Sequence, residues 1–375
     1  MKKLLLCVLA AFAFVGITGC ASETKMSAEE AQKTLNEASL NTEKKLGQYA
    51  TIKYKDGVSA SIKSNEIKGT VRGTEVQLID KSKINTSANA SGSVTYNIEE
   101  KKAKVSLEAD GKIDANITSG FLKSFLSIES PKKITYTAKA KGDAYLIDGE
   151  EKTNLYVDYN AEINDQIAKD FDIEQTKYSG KYNFSSVMIH GFINKDDDED
   201  ETETDTSTTT FDFDFIKDWT IFKKKGNLII ADCSNLDAFD LGEDFKEAQK
   251  ELKEIGLEFK VSKCQFELNK DKTIKNADFA LSASGNLDLS KTEFDSDELV
   301  PYISMVDKDL AEKLNEFEIR DLKGNMEVNF NASAKVEFNY DKKDIVVPDD
   351  LKNIEEKSID GELFGLAIGF YSLIG

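Results

Sequence analysis

The sequence contains few of the residues that interrupt β-strands and few of those that carry most catalytic chemistry. Its 375 residues include three prolines, one histidine and one tryptophan. Because proline cannot donate a hydrogen bond to a β-ladder, its scarcity permits long, uninterrupted strands. The single histidine, His190, lies within the mostly apolar run from Val187 to Phe192, which is typical of a strand. The composition therefore favours a mainly β protein.

Catalytic and cofactor-binding motifs are also absent. A catalytic histidine needs a nucleophile and an orienting acid, and no Gly-x-Ser-x-Gly turn is present. No Gly-x-Gly-x-x-Gly follows a predicted strand, and no phosphate-binding loop occurs. Cys233, Cys264 and His190 do not have the ligand spacing of a zinc site. We predict that the protein is not an enzyme and has no catalytic residue, cofactor or metal site. The abundant carboxylates leave a glycosidase pair as an open alternative.

Basic residues are fewer than acidic residues. Lys and Arg number 49 against 69 Asp and Glu, which gives a formal net charge of −20. A surface this acidic repels nucleic acid and anionic lipid headgroups, so we predict no nucleic-acid partner. Residues 195–210 contain no apolar side chain and half of them are acidic, which predicts a disordered loop or linker over 194–210. A calcium site at Asp196–Asp200 is the alternative, but the run lacks the glycine of a dedicated calcium loop.

The first twenty residues have the layout of an export signal. Lys2 and Lys3 precede an uncharged apolar segment, Leu4–Val15, and small residues follow it. The apolar segment is shorter than the roughly 20 residues that a membrane-spanning helix needs. An ordinary cleaved signal would have the same general layout. The residues that follow the apolar segment indicate a more specific kind of export signal.

The segment Ile17-Thr18-Gly19-Cys20 resembles the lipobox of bacterial lipoproteins. The resemblance implies cleavage before Cys20, a diacylglycerol thioether on its sulfur and frequent acylation of its new amino group. Two or three acyl chains hold a protein firmly on a membrane. We therefore predict a signal peptide over 1–19, a tether over 20–26, export, and attachment to the cell membrane or outer membrane, facing the extracytoplasmic side.

The residue pattern after the tether predicts one helix followed by a β-meander. Ser27 and Glu30 form a capping box, and Ala31 and Leu35 begin an apolar stripe at helical spacing, so a helix should run from Ser27 into the forties. From Tyr54 the apolar period changes to two, which is typical of strands with one wet and one apolar face. Turns are expected at 99–102 and at Asp110-Gly111.

Two halves of similar content are predicted on either side of the acidic run. Residues 27–193 should form a helix plus antiparallel strands, and residues 211–375 should form further strands with helices over 235–255 and 307–317. The longest alternation of apolar and polar residues runs from Met326 to Tyr340. The predicted fold class is mainly β (α+β), with long curved antiparallel meander sheets and a few covering helices.

Two cysteines besides Cys20 remain after the predicted cleavage. Cys233 and Cys264 flank a predicted helix, whose flanking strands could return side by side. Outside the cytoplasm such a pair can form a disulfide. Two buried, small apolar residues are the equal alternative.

A lipobox, an early amphipathic helix and a long antiparallel meander together resemble the LolA/LppX-like lipoproteins. The ending Phe338–Asp350 is similar to that of small lipoproteins of this shape, since a last strand and a Tyr-Asp turn lead into a Pro-acidic pair. The resemblance implies a half-barrel sheet with helices over an apolar cavity. The leading functional prediction is a non-enzymatic envelope lipoprotein that binds or carries an apolar ligand such as lipid. The alternative is a structural or adhesive surface lipoprotein without a ligand cavity.

Overall fold

A computed structural model describes residues 24–125, 130–194, 222–231, 253–291 and 319–359, together with Lys250. The described chain is mainly β, which confirms the predicted fold class. The strands are β1 (Thr24–Met26), β2 (Tyr49–Val71), β3 (Thr74–Ile79), β4 (Lys81–Asn97), β5 (Lys102–Thr118), β6 (Lys132–Asp148), β7 (Thr153–Ile163), β8 (Lys177–Ser186), β9 (Phe222–Lys225), β10 (Leu228–Ala231), β11 (Leu257–Leu268), β12 (Ile274–Asp288), β13 (Ile319–Asn339) and β14 (Glu356–Ser358). The helices are α1 (Ala28–Leu46), α2 (Gly120–Phe125), α3 (Asp165–Asp170), α4 (Val187–Ile193) and α5 (Asp349–Lys352), and Leu289–Lys291 form a 3-10 turn.

All the described strands belong to one open sheet. Their order is β1-β9-β10-β11-β12-β13-β2-β4-β5-β6-β7-β8-β14, and β3 pairs with β2 beside this path. Neighbouring strands are antiparallel except β14, which runs parallel to β8. The long pairing of β13 with β2 joins strands from the two halves of the sequence. Residues 24–26 of the predicted tether form the edge strand β1.

Helix α1 begins as its capping box predicts. The Ser27 side chain accepts a hydrogen bond from the Glu30 backbone N–H at 3.1 Å. The apolar stripe of the helix is fully buried at Ala31, Leu35 and Ala38, against apolar side chains of β10, β11 and β12. This packing confirms that the stripe of small residues suits close contact with a sheet. Such contacts hold short amphipathic helices more firmly than helix propensity does.

Helix α1 also makes a buried polar contact with the sheet. The Thr42 hydroxyl donates to the Ala38 carbonyl at 2.7 Å and accepts from the Ile274 backbone N–H at 2.8 Å. The Tyr340 hydroxyl donates to the Ile274 carbonyl at 2.6 Å. Because buried polar groups need partners, these bonds fix the position of the helix along β12.

The strands of the meander are longer than the sequence predicted. The turn at 99–102 is confirmed, but the turn at Asp110-Gly111 is wrong, because β5 runs through both residues without interruption. Gly111 pairs with Ala88 on one side and with Ala138 on the other. Hydrogen bonds to β4 and β6 on both sides keep this segment extended, although Asp-Gly favours a turn locally. Strand β2, at 23 residues, extends about 75 Å.

The sheet is covered near the ends of its long strands and is bare in between. At one end Tyr96 and Leu146 pack beneath α1 and α4 on one face, and on the other face Tyr145 packs against Ile345 and Val347. At the far end an apolar cluster joins β2, β3, α2 and β13. Between the ends, residues 138–141 of β6 are all exposed, although successive side chains point to opposite faces. The middle of the meander is therefore a single layer.

Several predicted features lie outside the described residues. These are the lipobox with Cys20, the acidic run 195–210 with its alternative calcium site, Cys233, the helix over 307–317 and most of the helix over 235–255. Within the described ranges, no helix combines the length and apolar character that a membrane span requires.

Candidate functional site

A polar groove crosses the bare middle of the sheet. It encloses about 640 Å³ and spans six strands, from β13 to β7. Pairing registers place Lys55, Ser91, Glu108 and Lys141 in one row across β2, β4, β5 and β6, with Lys335 of β13 at its end. Because side chains alternate between faces, the members of this row share one face of the sheet. We call this feature the serine groove.

Short side chains create the serine groove. Ser91 and Ser93 of β4 and Ser106 of β5 are half-buried, whereas Lys55 and Lys141 on the flanking strands are exposed. Hydroxyl groups therefore lie between long cationic side chains. A second groove of about 630 Å³ shares Glu108, Lys141 and Asn160 with the first and continues the depression across β5 to β8. Both grooves are lined mainly by charged and hydroxyl-bearing side chains.

Some charged side chains along the serine groove form ion pairs with described residues, and others do not. Lys335 pairs with Glu337, and Asp143 pairs with Lys104 at 3.1 Å. The ammonium group of Lys335 lowers the pKa of Glu337. Within the described part of the chain, Lys55 and Lys141 form no ion pair. Glu108, which lies in the same row, forms no ion pair among the described residues either, so the row carries two unpaired lysines and one unpaired carboxylate on a protein whose net charge is −20.

The opposite face of the sheet is apolar and also bare at its middle. A row of small side chains crosses β4 to β7 at Ala90, Ala109, Ala140 and Ala161. Larger apolar side chains on the same face are well exposed: Val58, Leu107, Ile113, Tyr159 and Tyr178. Exposed apolar surface of this extent is typical of a contact face. We call it the alanine face.

One carboxylate interrupts the alanine face. Asp56 pairs with Ala334 on one side and Ala90 on the other, and its buried Oδ1 has no hydrogen-bond partner among the described residues. Burial raises the pKa of Asp56 to about 6. A carboxylate with such a pKa is a candidate functional residue. The sequence carried a signal for it, since Asp56 occupies the apolar phase of β2 between Tyr54 and Val58.

Asp56→Asn should raise the free energy of unfolding at pH 8. Because the folded-state pKa is raised, ionisation of Asp56 destabilises the fold as pH increases from about 4 through 6. The expected gain is on the order of 1 kcal/mol, after a discount for partial exposure of the side chain. Urea denaturation at pH 8 and pH 3.5 measures it, with Glu108→Gln as a control that removes one exposed charge. An equal gain in the control, or a gain that persists at pH 3.5, would contradict this explanation.

His190 belongs to a buried polar cluster and not to a strand. The predicted strand is wrong, because residues 187–193 form α4, which the Ser186 side chain caps at the Ile189 backbone N–H. His190 Nδ1 lies 2.8 Å from Asp148 Oδ1, and Asn194 Nδ2 donates to Asp148 Oδ2 at 2.9 Å. A capping serine at the end of β8 decides the structure here. Its hydroxyl oxygen accepts a hydrogen bond from a backbone N–H of the first helical turn.

Asp148 is the centre of this cluster. Its carboxylate is fully buried and also accepts a hydrogen bond from Thr153 at 2.5 Å. Burial acts to raise the pKa of Asp148, but hydrogen bonds from Thr153, Asn194 and His190 outweigh burial and lower it. The contacts described for the His190 ring are with Asp148 and Asn194, which are not nucleophiles. The cluster therefore joins α4 to the turn between β6 and β7.

The structure places Cys264 in the core beneath α1. Its exposed fraction is 3%, which fits the alternative of a buried apolar residue, and Cys233 lies outside the described residues. The disulfide stays a prediction. Titration of the unfolded, unreduced mature chain carrying Cys20→Ser should find no free thiol if Cys233 and Cys264 pair. Two free thiols would contradict the pairing.

Sequence analysis missed the serine groove. Lysine and serine at polar positions of strands are ordinary, and the groove exists only because registered pairing aligns Ser91 and Ser93 between Lys55 and Lys141. The predicted site residues Cys20 and Cys233 lie outside the described residues. Among the described residues, no group of three or more His, Cys, Asp or Glu side chains could hold a metal ion.

Comparisons with known proteins add little. No family model and no curated protein matches the sequence. The secretin InvG of the Salmonella type III secretion injectisome, in its open gate state, aligns with 86% of this chain and 71% of its own at 8% identity and a TM-score of 0.17. An outer membrane channel from Pseudomonas putida F1 aligns with 78% of this chain and 96% of its own at 8% identity and a TM-score of 0.14. At these TM-scores neither likeness carries an argument about this protein.

Proposed function

We propose that this protein is a non-enzymatic envelope lipoprotein, held on the membrane by lipid on Cys20, that acts as a structural or adhesive surface protein. The single-layer middle of the sheet carries this proposal. Residues 138–141 of β6 are exposed on both faces of the sheet, and the neighbouring grooves are open and lined mainly by charged and hydroxyl-bearing side chains. A carrier of apolar ligands needs a concave, mainly apolar cavity. The described geometry instead offers broad faces for contact.

The length of the strands supports the same function. A sheet whose longest strand extends about 75 Å can hold a contact face well away from its lipid anchor. Registered pairing along β13, β2 and β4 makes the sheet one continuous hydrogen-bonded body. The acidic surface keeps such a body solvated and separate from anionic headgroups.

Cys20→Ser should abolish lipid attachment, because the thioether requires the cysteine sulfur. Cells fed labelled fatty acid should label the wild-type chain and leave the variant unlabelled, and the variant should leave the membrane fraction. Cys7→Ser is the matched control, because Cys7 lies within the predicted signal peptide and should not alter labelling. Labelling of Cys20→Ser at the wild-type level would refute the anchor.

Binding of an apolar ligand is the second candidate function. Exposed apolar side chains on the alanine face favour it, among them Leu107, Ile113 and Tyr159. The two functions predict different amounts of lipid bound to the purified mature chain. The Cys20→Ser chain, purified without detergent and extracted with organic solvent, should yield no stoichiometric lipid if the protein is structural or adhesive. Stoichiometric lipid that is lost in Leu107→Ser would establish the carrier function instead.

A further inference from the structure

We propose that the serine groove binds a carboxylate-bearing polysaccharide, which would be the partner of the adhesive protein proposed above. The groove joins unpaired cations, half-buried hydroxyl groups and an open, elongated shape on one face of the sheet. Lys55 and Lys141 lie three strand spacings apart, about 14 Å, in the same row of side chains. A chain lying along this row meets the Lys55 ammonium group, the Ser91 hydroxyl group, the Glu108 carboxylate and then the Lys141 ammonium group.

The hydroxyl groups between the lysines favour a sugar chain. Ser91 and Ser93 lie opposite Glu108 and Ser106 in neighbouring rows of the sheet. Each serine hydroxyl can both donate and accept, and the Glu108 carboxylate accepts only. Sugar hydroxyl groups can satisfy both kinds of partner. Carboxylates on the same chain can pair with Lys55 and Lys141 through charge-assisted hydrogen bonds.

The same charges disfavour a densely anionic ligand. Glu108 stands directly opposite Lys141, between the two free lysines, and would repel a continuous row of phosphates. The net charge of −20 adds a long-range repulsion that grows with the charge of the ligand. The repulsion from Glu108 and the long-range repulsion are both weaker for a polysaccharide whose carboxylates are spaced apart. The arrangement therefore selects a sparsely charged, hydroxyl-rich chain over nucleic acid.

The test uses the mature chain carrying Cys20→Ser and titration calorimetry at physiological salt. The probes are hyaluronate oligosaccharides, neutral dextran oligosaccharides and inorganic polyphosphate. We expect hyaluronate to bind and the other two probes to bind at least tenfold more weakly. The double variant Lys55→Gln/Lys141→Gln should weaken hyaluronate binding at least tenfold. Lys81→Gln/Lys83→Gln, which removes two exposed lysines from the same face of β4 outside the groove, should leave binding unchanged.

A second variant tests the shape of the groove at constant charge. Ser91→Tyr fills the space between Lys55 and Glu108, and an exposed tyrosine is well tolerated in a strand. It should also abolish hyaluronate binding. The proposal is overturned if hyaluronate does not bind, if polyphosphate or dextran binds as tightly, or if the Lys81/Lys83 control loses as much affinity as the groove variants. These outcomes leave the anchor and lipid-extraction results untouched, so failure of the groove is distinguishable from failure of the proposed function.

Discussion

Leu35→Ala is expected to lower the free energy of unfolding by about 2–5 kcal/mol. Leu35 is fully buried where α1 meets the sheet, and its neighbours in this cluster include Ile229, Val261 and Ile274. Truncation removes buried apolar surface and leaves a cavity, because the strands are held by their own ladders and cannot collapse into the space. Urea denaturation of the mature Cys20→Ser chain, followed by circular dichroism, measures the loss.

Leu40 provides the matched control for this substitution. It lies on the same helix, carries the same side chain and is 50% exposed. Leu40→Ala should change the free energy of unfolding by less than about 0.5 kcal/mol, as is usual for exposed positions. Equal losses in the two variants would contradict burial against the sheet as the source of the stabilisation, because alanine has the higher helix propensity at both positions.

Gly92→Ala should destabilise the meander by about 1–3 kcal/mol, the usual range for an overpacked site. A Cβ atom at residue 92 would lie 2.7 Å from the Tyr54 hydroxyl and would also clash with the backbone carbonyl of Ser106. Tyr54 is directly opposite Gly92 across the β2–β4 ladder, and the ring lies over the glycine. The tyrosine can rotate away, but the carbonyl belongs to a ladder and cannot move without loss of pairing.

Gly111→Ala separates this steric effect from the general effect of glycine in a strand. A Cβ atom at residue 111 would meet only the Ser87 carbonyl, at 3.9 Å, which is an ordinary contact. Since glycine within a strand costs roughly 0.5–1 kcal/mol relative to alanine, this variant should be neutral or slightly stabilised. Thermal unfolding of both variants measures the difference. A Gly92→Ala chain as stable as Gly111→Ala would contradict the steric conflict with the Ser106 carbonyl.

Features of this fold were predictable from the sequence where their physical cause is local. The cap at Ser27 and the stripe at Ala31 and Leu35 predicted α1, because capping and helical spacing depend on neighbours within one or two turns. The period-two alternation of Met326–Tyr340 predicted β13, because a strand with one apolar face must alternate. Three inferences stay predictions: lipid attachment at the lipobox, the lack of enzymatic activity and the disulfide between Cys233 and Cys264.

Features that depend on distant partners became visible only in the folded sheet. Strand β5 passes through Asp110 and Gly111 because ladders on both sides hold it extended. The His190 ring meets Asp148 at the end of β6, a partner 42 residues away that no local pattern indicates. The serine groove arises from the register of six strands, which no single segment encodes. Register is a property of the whole sheet, and a shift of one residue would place Lys55 on the other face.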